Sequence, residues 1–203
     1  YDKKQINEKD IKEIIVEVKK GKIDGINVTV PFKRLVIPFM DDLSSEAKQT
    51  QSVNTIYLKN KKIIGHNTDI AGFELGIRHC KYNIINKKVL ILGAGGVVPS
   101  IILALKKMKA SKIIVSNRTK TKAENLKNLF KDLEIVDWGT SPNFDMIINA
   151  TSLGLEKNDK INLDFSKMNS DKFFFDVIYN PLETRFLKKA KEHNYKVENG
   201  KMM

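Results

Sequence analysis

An α/β chain with a doubly wound parallel sheet in its second half is what this sequence predicts, on three observations. From Val89 onward, short apolar runs alternate with segments of helical period. Those runs are continuously apolar rather than alternating, as strands covered on both faces must be. A glycine turn, Gly93-Ala94-Gly95-Gly96, sits directly between one such run and a helical segment. The first half is a smaller α/β unit built around β-branched runs. The polar stretch Asn83 to Lys88 marks the expected junction, dividing the chain into 1–84 and 85–203.

The elements follow in order. Asp10 to Lys20 has apolar residues at Ile11, Ile14, Ile15 and Val18, a helical spacing, and Gly21 is its stop signal. Ile23 to Val30 is a strand, closed by Pro31, which cannot donate a ladder hydrogen bond. Pro38 to Gln51 reads as helix with Leu43 and Ala47 inward. Ser52 to Leu58 and Lys62 to Gly65 are strands around the turn Lys59-Asn60-Lys61, and Thr68 to His79 is a helix.

In the second half, Val89 to Leu92 is a strand, Val97 to Lys109 a helix and Lys112 to Ser116 a strand. Lys120 to Phe130 is a helix; Glu134 to Asp137, Asp145 to Asn149 and Phe173 to Val177 are strands. Thr184 to His193 is the last helix. Strand-helix alternation of this kind implies parallel crossovers.

Composition narrows the chemistry. The net charge of +12 would suit polyanions. The lysines are nevertheless spread over the whole chain, with no basic block interleaved with aromatics, which argues against a nucleic-acid partner. A positive field also favours small anions, such as a phosphorylated cofactor or a carboxylate substrate. No apolar run is long enough to span a bilayer, so no membrane partner is expected. Cys80 is the only cysteine, which excludes an intrachain disulfide and points to a reducing, cytoplasmic setting. His66, His79 and His193 are scattered, so no metal is expected. The chain starts at Tyr1 rather than methionine and reads as an internal piece of a longer protein.

Two segments carry cofactor chemistry. Gly93 permits the tight turn after the strand, Gly95 lets backbone approach a pyrophosphate, and the helix opening at Val97 offers amide donors and positive dipole. The strict G-x-G-x-x-G spacing fails, because Val98 stands at its third glycine; Ser100 supplies the small residue instead. Taken alone, the loop also fits a structural glycine turn. The next strand ends in Ser116-Asn117-Arg118-Thr119, with Lys122 behind it. An NAD binder places a carboxylate there for the ribose hydroxyl. Here there is none, and Arg118 and Lys122 suit a 2′-phosphate, so the cofactor is read as NADP. A solvated basic turn competes for Lys122 in particular.

Asn27-Val28-Thr29-Val30-Pro31-Phe32-Lys33 is the most specific stretch. A lone lysine after an edge strand is usually a surface residue. This heptad, however, is followed by Gly65-His66-Asn67-Thr68-Asp69, then by Leu92-Gly93-Ala94-Gly95-Gly96 and Ser116-Asn117-Arg118-Thr119. Together these resemble the shikimate dehydrogenase family over about Gly25 to Gly200. The resemblance implies an α/β substrate domain followed by a Rossmann NADP-binding domain, and truncation at both ends. It implies NADPH-dependent reduction of 3-dehydroshikimate to shikimate, with Lys33 and Asp69 as the catalytic pair. A lysine beside an aspartate can donate to a ketone oxygen while hydride arrives on carbon.

The resemblance makes Thr29, Asn54 and Tyr179 substrate contacts; Asn54 also fits a turn residue. It adds Gly93, Ala94, Gly95, Gly96, Val97, Asn117, Arg118, Thr119, Lys122, Thr151, Val177 and Gly200 as cofactor contacts. A strand-end cap competes for Thr151. The family's serine-rich carboxylate grip has no counterpart in Tyr1 to Gly25. Two alternatives stand beside this reading: a quinate/shikimate dehydrogenase using NAD, and a non-catalytic dinucleotide-binding regulatory module. Whether the protein forms a homodimer stays open.

Overall fold

The computed structural model describes residues 1–165, 168 and 171–203. The chain divides into two compact units, Tyr1–Asp69 and Ile70–Met203.

In the first unit, helix α1 (Ile11–Lys19) buries Ile11, Ile14, Ile15 and Val18, the stripe that the periodicity selects. A four-stranded sheet among the described residues has the order β1-β3-β4-β2. Strands β1 (Gly25–Asn27), β3 (Thr55–Lys59) and β4 (Lys62–His66) pair antiparallel, whereas β2 (Asp42–Leu43) pairs parallel to β4. Val18, Ala47, Val53, Ile56 and Ile63 form the centre of this core, each at most 1% exposed.

Two expectations need correction here. The strand predicted over Ile23 to Val30 shrinks to β1. Its partner ends in register at Asn27↔Thr55. Beyond that, Val28 N–H reaches the Asn54 carbonyl and the Thr29 carbonyl takes Phe32 N–H, which starts a turn. The helix predicted over Pro38 to Gln51 breaks into three pieces: a 3₁₀ turn at Ile37–Phe39, strand β2, and helix α2 (Ser45–Thr50). The Asp41 carboxylate accepts Ile63 N–H, pinning the chain to the sheet, and Ser44 Oγ caps Ala47 N–H to start the helix. Gln51, with φ of 49°, ends it. Ala47 is buried as expected; Leu43 faces the core from a strand instead.

In the second unit six parallel strands lie in the order β10-β9-β8-β5-β6-β7 among the described residues. They are β5 (Lys88–Leu92), β6 (Lys112–Ser116), β7 (Glu134–Val136), β8 (Met146–Asn149), β9 (Phe173–Asp176) and β10 (Lys196–Asn199). This is the doubly wound order, with its switch point between β5 and β8. Alternate residues feed two cores. Val89, Ile91, Phe173 and Phe175 pack with helix α3 (Asp69–His79), through Phe73 and Ile77, and with α4 (Val98–Lys107). Leu90, Leu92 and Phe174 pack with Phe186, Leu187 and Ala190 of α6 (Arg185–Glu192).

The helix predicted over Lys120 to Phe130 is α only in α5 (Lys120–Glu124) and tightens to 3₁₀ over Asn125–Asn128. Ala123, Leu126 and Phe130 stay buried, so the apolar stripe survives the tightening. Strand β10 was not expected: Lys196-Val197-Glu198-Asn199 has one apolar residue, and its place at the sheet edge demands no more.

Candidate functional site

In the first unit the heptad folds into a turn, not a strand. Val30–Pro31 is a cis peptide, and Val30 is exposed. The Lys33 carbonyl accepts Val53 N–H at 2.8 Å, which ties this turn to the segment before β3. The Lys33 side chain then lies inward. Its Nζ donates to Asp69 Oδ2 at 2.6 Å, and the two side chains are only 12% and 15% exposed. Thirty-six positions of sequence separate the two residues, so no local rule could bring them together.

Asp69 is itself held. Asn54 Nδ2 donates to its Oδ1 at 2.8 Å, and Asn67 Oδ1 accepts its backbone N–H at 3.0 Å. Asn54 is buried; its Oδ1 accepts Thr68 N–H at 2.9 Å, and its backbone pairs with His66 and Val28. Asn67 is buried too, donating to Thr50 Oγ1 and the Ser52 carbonyl. Sequence reasoning passed over Asn67 and Thr68 as supports. The available signal was an asparagine two positions before a helix start, a capping residue type. Thr29 is exposed at the start of the same turn. The result is an ammonium with one oriented carboxylate partner, suited to donating to a polar atom brought against it.

In the second unit, β5 ends at Leu92 and the glycine loop follows. Gly93 has φ of +112°, and a Cβ there would stand 2.7 Å from the Ala150 carbonyl oxygen. This glycine is required by conformation and by space. A Cβ on Gly95 would meet no protein atom within 4 Å, so the chain itself leaves room for a group against this backbone. Ala94, Gly96 and Val97 complete the loop, and Val97 is the N-cap of α4. Pro99 falls in the first turn of α4, where it is tolerated, and Ser100 is fully buried.

At the end of β6, Asn117 Nδ2 donates to the Thr119 carbonyl at 2.7 Å and shapes the turn carrying Arg118. Arg118, Thr119 and Lys122 are exposed. Lys120 is taken up by Asp137 at 2.7 Å, whereas neither Arg118 nor Lys122 forms an ion pair among the described residues. Two uncommitted cations beside a glycine loop with open space fit a pyrophosphate-containing cofactor bearing a further phosphate.

After β8 and β9, Thr151 and Val177 are half-buried, while Tyr179 is exposed. Gly200 is buried against Val177; a Cβ there would collide with the Val177 carbonyl oxygen. Among the described residues, no group of three or more histidine, cysteine, aspartate or glutamate side chains could hold a metal, and no helix is long and apolar enough to cross a membrane.

Comparison with known proteins gives the following. The family model for the shikimate dehydrogenase substrate-binding domain matches residues 1–56, and that for shikimate/quinate 5-dehydrogenase matches residues 75–196. A shikimate dehydrogenase (NADP(+)) from Pelagibacter ubique is 55% identical over 203 residues, covering all of this chain and 77% of its own length. The crystal structure of shikimate dehydrogenase from Aquifex aeolicus superposes with a TM-score of 0.88 at 38% identity, covering 97% of this chain and 73% of that one. A shikimate dehydrogenase solved in complex with NADP+ gives the same TM-score at 32% identity, covering 96% of this chain and 71% of that one.

Proposed function

The chain belongs to the shikimate dehydrogenase family, and from that premise we propose that Lys33 and Asp69 carry out its proton chemistry while the Gly93 and Arg118 loops hold its NADP. The reaction is the reversible, NADPH-dependent reduction of 3-dehydroshikimate to shikimate. The cofactor, when bound, supplies the hydride.

The chain's own residues do the rest. Lys33 Nζ donates a hydrogen bond to the ketone oxygen, stabilises the charge that develops there, and passes a proton to it as the alcohol forms. Asp69 keeps the Lys33 Nζ aimed, and Asn54 and Asn67 keep Asp69 from rotating. Thr29, Asn54 and Tyr179 offer polar contacts to the ring hydroxyls. Asn54 already donates to Asp69 and Thr68, so its main effect runs through Asp69.

On the cofactor side, the glycine loop and the start of α4 would hold the pyrophosphate, and Gly95 would admit it closely, while the Gly93 N–H is taken by the Ser116 carbonyl at 2.8 Å and serves the turn. Arg118 and Lys122 would hold the 2′-phosphate, with Asn117 and Thr119 shaping their turn. Thr151, Val177 and Gly200 would border the nicotinamide half. We further place the protein in the cytoplasm, with the homodimer as an assembly to be tested. Cys80, the single cysteine, supports the reducing setting; burial and the neighbouring Glu198 push its thiol up to about 12, which keeps it protonated.

The observation that carries this reading is the Lys33–Asp69 pair at 2.6 Å, nearly buried yet assembled from two distant motifs. The direct test follows NADPH absorbance with 3-dehydroshikimate, with NADH and quinate as controls. Preference for NADPH and 3-dehydroshikimate is expected; oxidation of neither cofactor would overturn the assignment. Light scattering at assay concentration checks the dimer.

A further inference from the structure

Asp176 closes β9 and is fully buried. Among the described residues no cation pairs with it. Burial pushes its carboxyl above the usual carboxylate range, and three donors pull the other way. A buried carboxylate without a counter-ion is costly, and packing alone would be served by an apolar residue. Its contacts show what it holds together. Oδ1 accepts Ile178 N–H at 3.0 Å and Asn149 Nδ2 at 3.1 Å, and Oδ2 accepts Thr184 Oγ1 at 2.6 Å.

Each partner passes the constraint on. Asn149 Oδ1 accepts both Thr151 N–H (3.1 Å) and Thr151 Oγ1 (2.7 Å), and Asn149 Nδ2 also donates to the Leu153 carbonyl at 2.9 Å. Thr151 Oγ1 in turn accepts Leu153 N–H. Thr184 Oγ1 accepts Leu187 N–H and caps α6. The Ile178 carbonyl accepts Gly200 N–H at 3.3 Å. One carboxylate therefore joins the loop bearing Thr151, the loop bearing Val177 and Tyr179, the start of α6 and, through Ile178, the backbone at Gly200.

We infer that Asp176 is a positioning residue for the nicotinamide half of the cofactor, acting through Asn149 and Ile178 on the loops that carry Thr151 and Val177. The inference rests on the cofactor reading given above. A carboxylate suits the task because it accepts all three donors and competes for none. An asparagine would keep the two bonds at Oδ1 but leave the Thr184 hydroxyl without an acceptor.

The test separates the two ends of the cofactor. NADPH and 2′,5′-ADP are titrated calorimetrically against the wild type, Asp176→Ala and Asp176→Asn; the second ligand engages only the adenosine end. Asp176→Ala is expected to weaken NADPH by about tenfold or more while 2′,5′-ADP stays within about twofold, and Asp176→Asn to recover NADPH to within about threefold of wild type. Equal weakening of both ligands, unchanged NADPH affinity in Asp176→Ala, or no recovery in Asp176→Asn would overturn the inference. Should Asp176→Ala fail to fold, Asp176→Ser, which cannot accept all three donors, takes its place and is judged by the same two ligands and the same limits. A wild type that binds neither ligand would sink the cofactor reading itself, which is a separate and recognisable result.

Discussion

Replacing Lys33 with alanine removes one partner of a pair whose side chains are 12% and 15% exposed at 2.6 Å. Two consequences can be sized separately. For stability, deleting one member of a buried pair costs about 3–5 kcal/mol, because the remaining charge is stranded. Asn54 Nδ2 still donates to Asp69 Oδ1 at 2.8 Å, so the lower end, ~3 kcal/mol, is expected. For turnover, losing a positioned proton donor costs about 10²–10⁴-fold. Substrate affinity should fall far less, since other contacts carry it. The double variant Lys33→Met/Asp69→Asn distinguishes the two effects. Removing both charges should recover about 1–3 kcal/mol relative to the sum of the single changes, while turnover stays low. Denaturant unfolding measures the first quantity and NADPH-coupled initial rates the second. Near-normal turnover in Lys33→Ala, or stability costs that simply add, would refute the claim that these groups work as a pair.

Three further outcomes are expected. Arg118→Asp should weaken NADPH by about 10²-fold or more and NADH by little, because a carboxylate repels the 2′-phosphate and suits a bare ribose hydroxyl; equal losses in fluorescence titrations would remove the assignment. Gly93→Ala should destabilise the second unit by about 2–4 kcal/mol, since it combines an unfavourable φ with a Cβ at 2.7 Å from the Ala150 oxygen; a melting temperature equal to wild type would contradict the geometry. Asp176→Asn tests linkage. The folded carboxyl titrates above its unfolded value of about 3.9, so its contribution to stability is present below that value and lost as pH rises through the folded one. Asparagine does not titrate, so the melting temperature of the variant minus that of wild type should rise from pH 4 to pH 8. A flat or falling difference would show that burial does not raise this carboxyl above the usual carboxylate range.

Much of the fold was legible because the signals are local. The stripe Ile11, Ile14, Ile15, Val18 gives α1, and the apolar runs at 89–92, 112–116 and 173–176 give buried parallel strands. The errors share a cause. Residues 38–51 combine helix-forming composition with a two-residue strand, and the choice was made by β4 pairing and by Asp41, which no propensity registers. The β-branched run after Asn27 left the sheet because its partner had ended. Strand β10 carries almost no apolar signal because an edge strand needs little.

Adjacent residues alone already state which chemistry is on offer: a glycine turn between strand and helix, cations where an NAD enzyme keeps an acid, and two motifs bearing a lysine and an aspartate. These are properties of neighbouring residues, and short-range sterics and charge express them directly. It takes the folded chain to show that Lys33 meets Asp69, that Asn54 and Asn67 hold the carboxylate still, and that Asp176 gathers two loops and a helix start around one buried carboxyl group. Each of those contacts closes a long loop of chain. The free energy that closes it comes from burying the surrounding core, which no local stretch of residues contains.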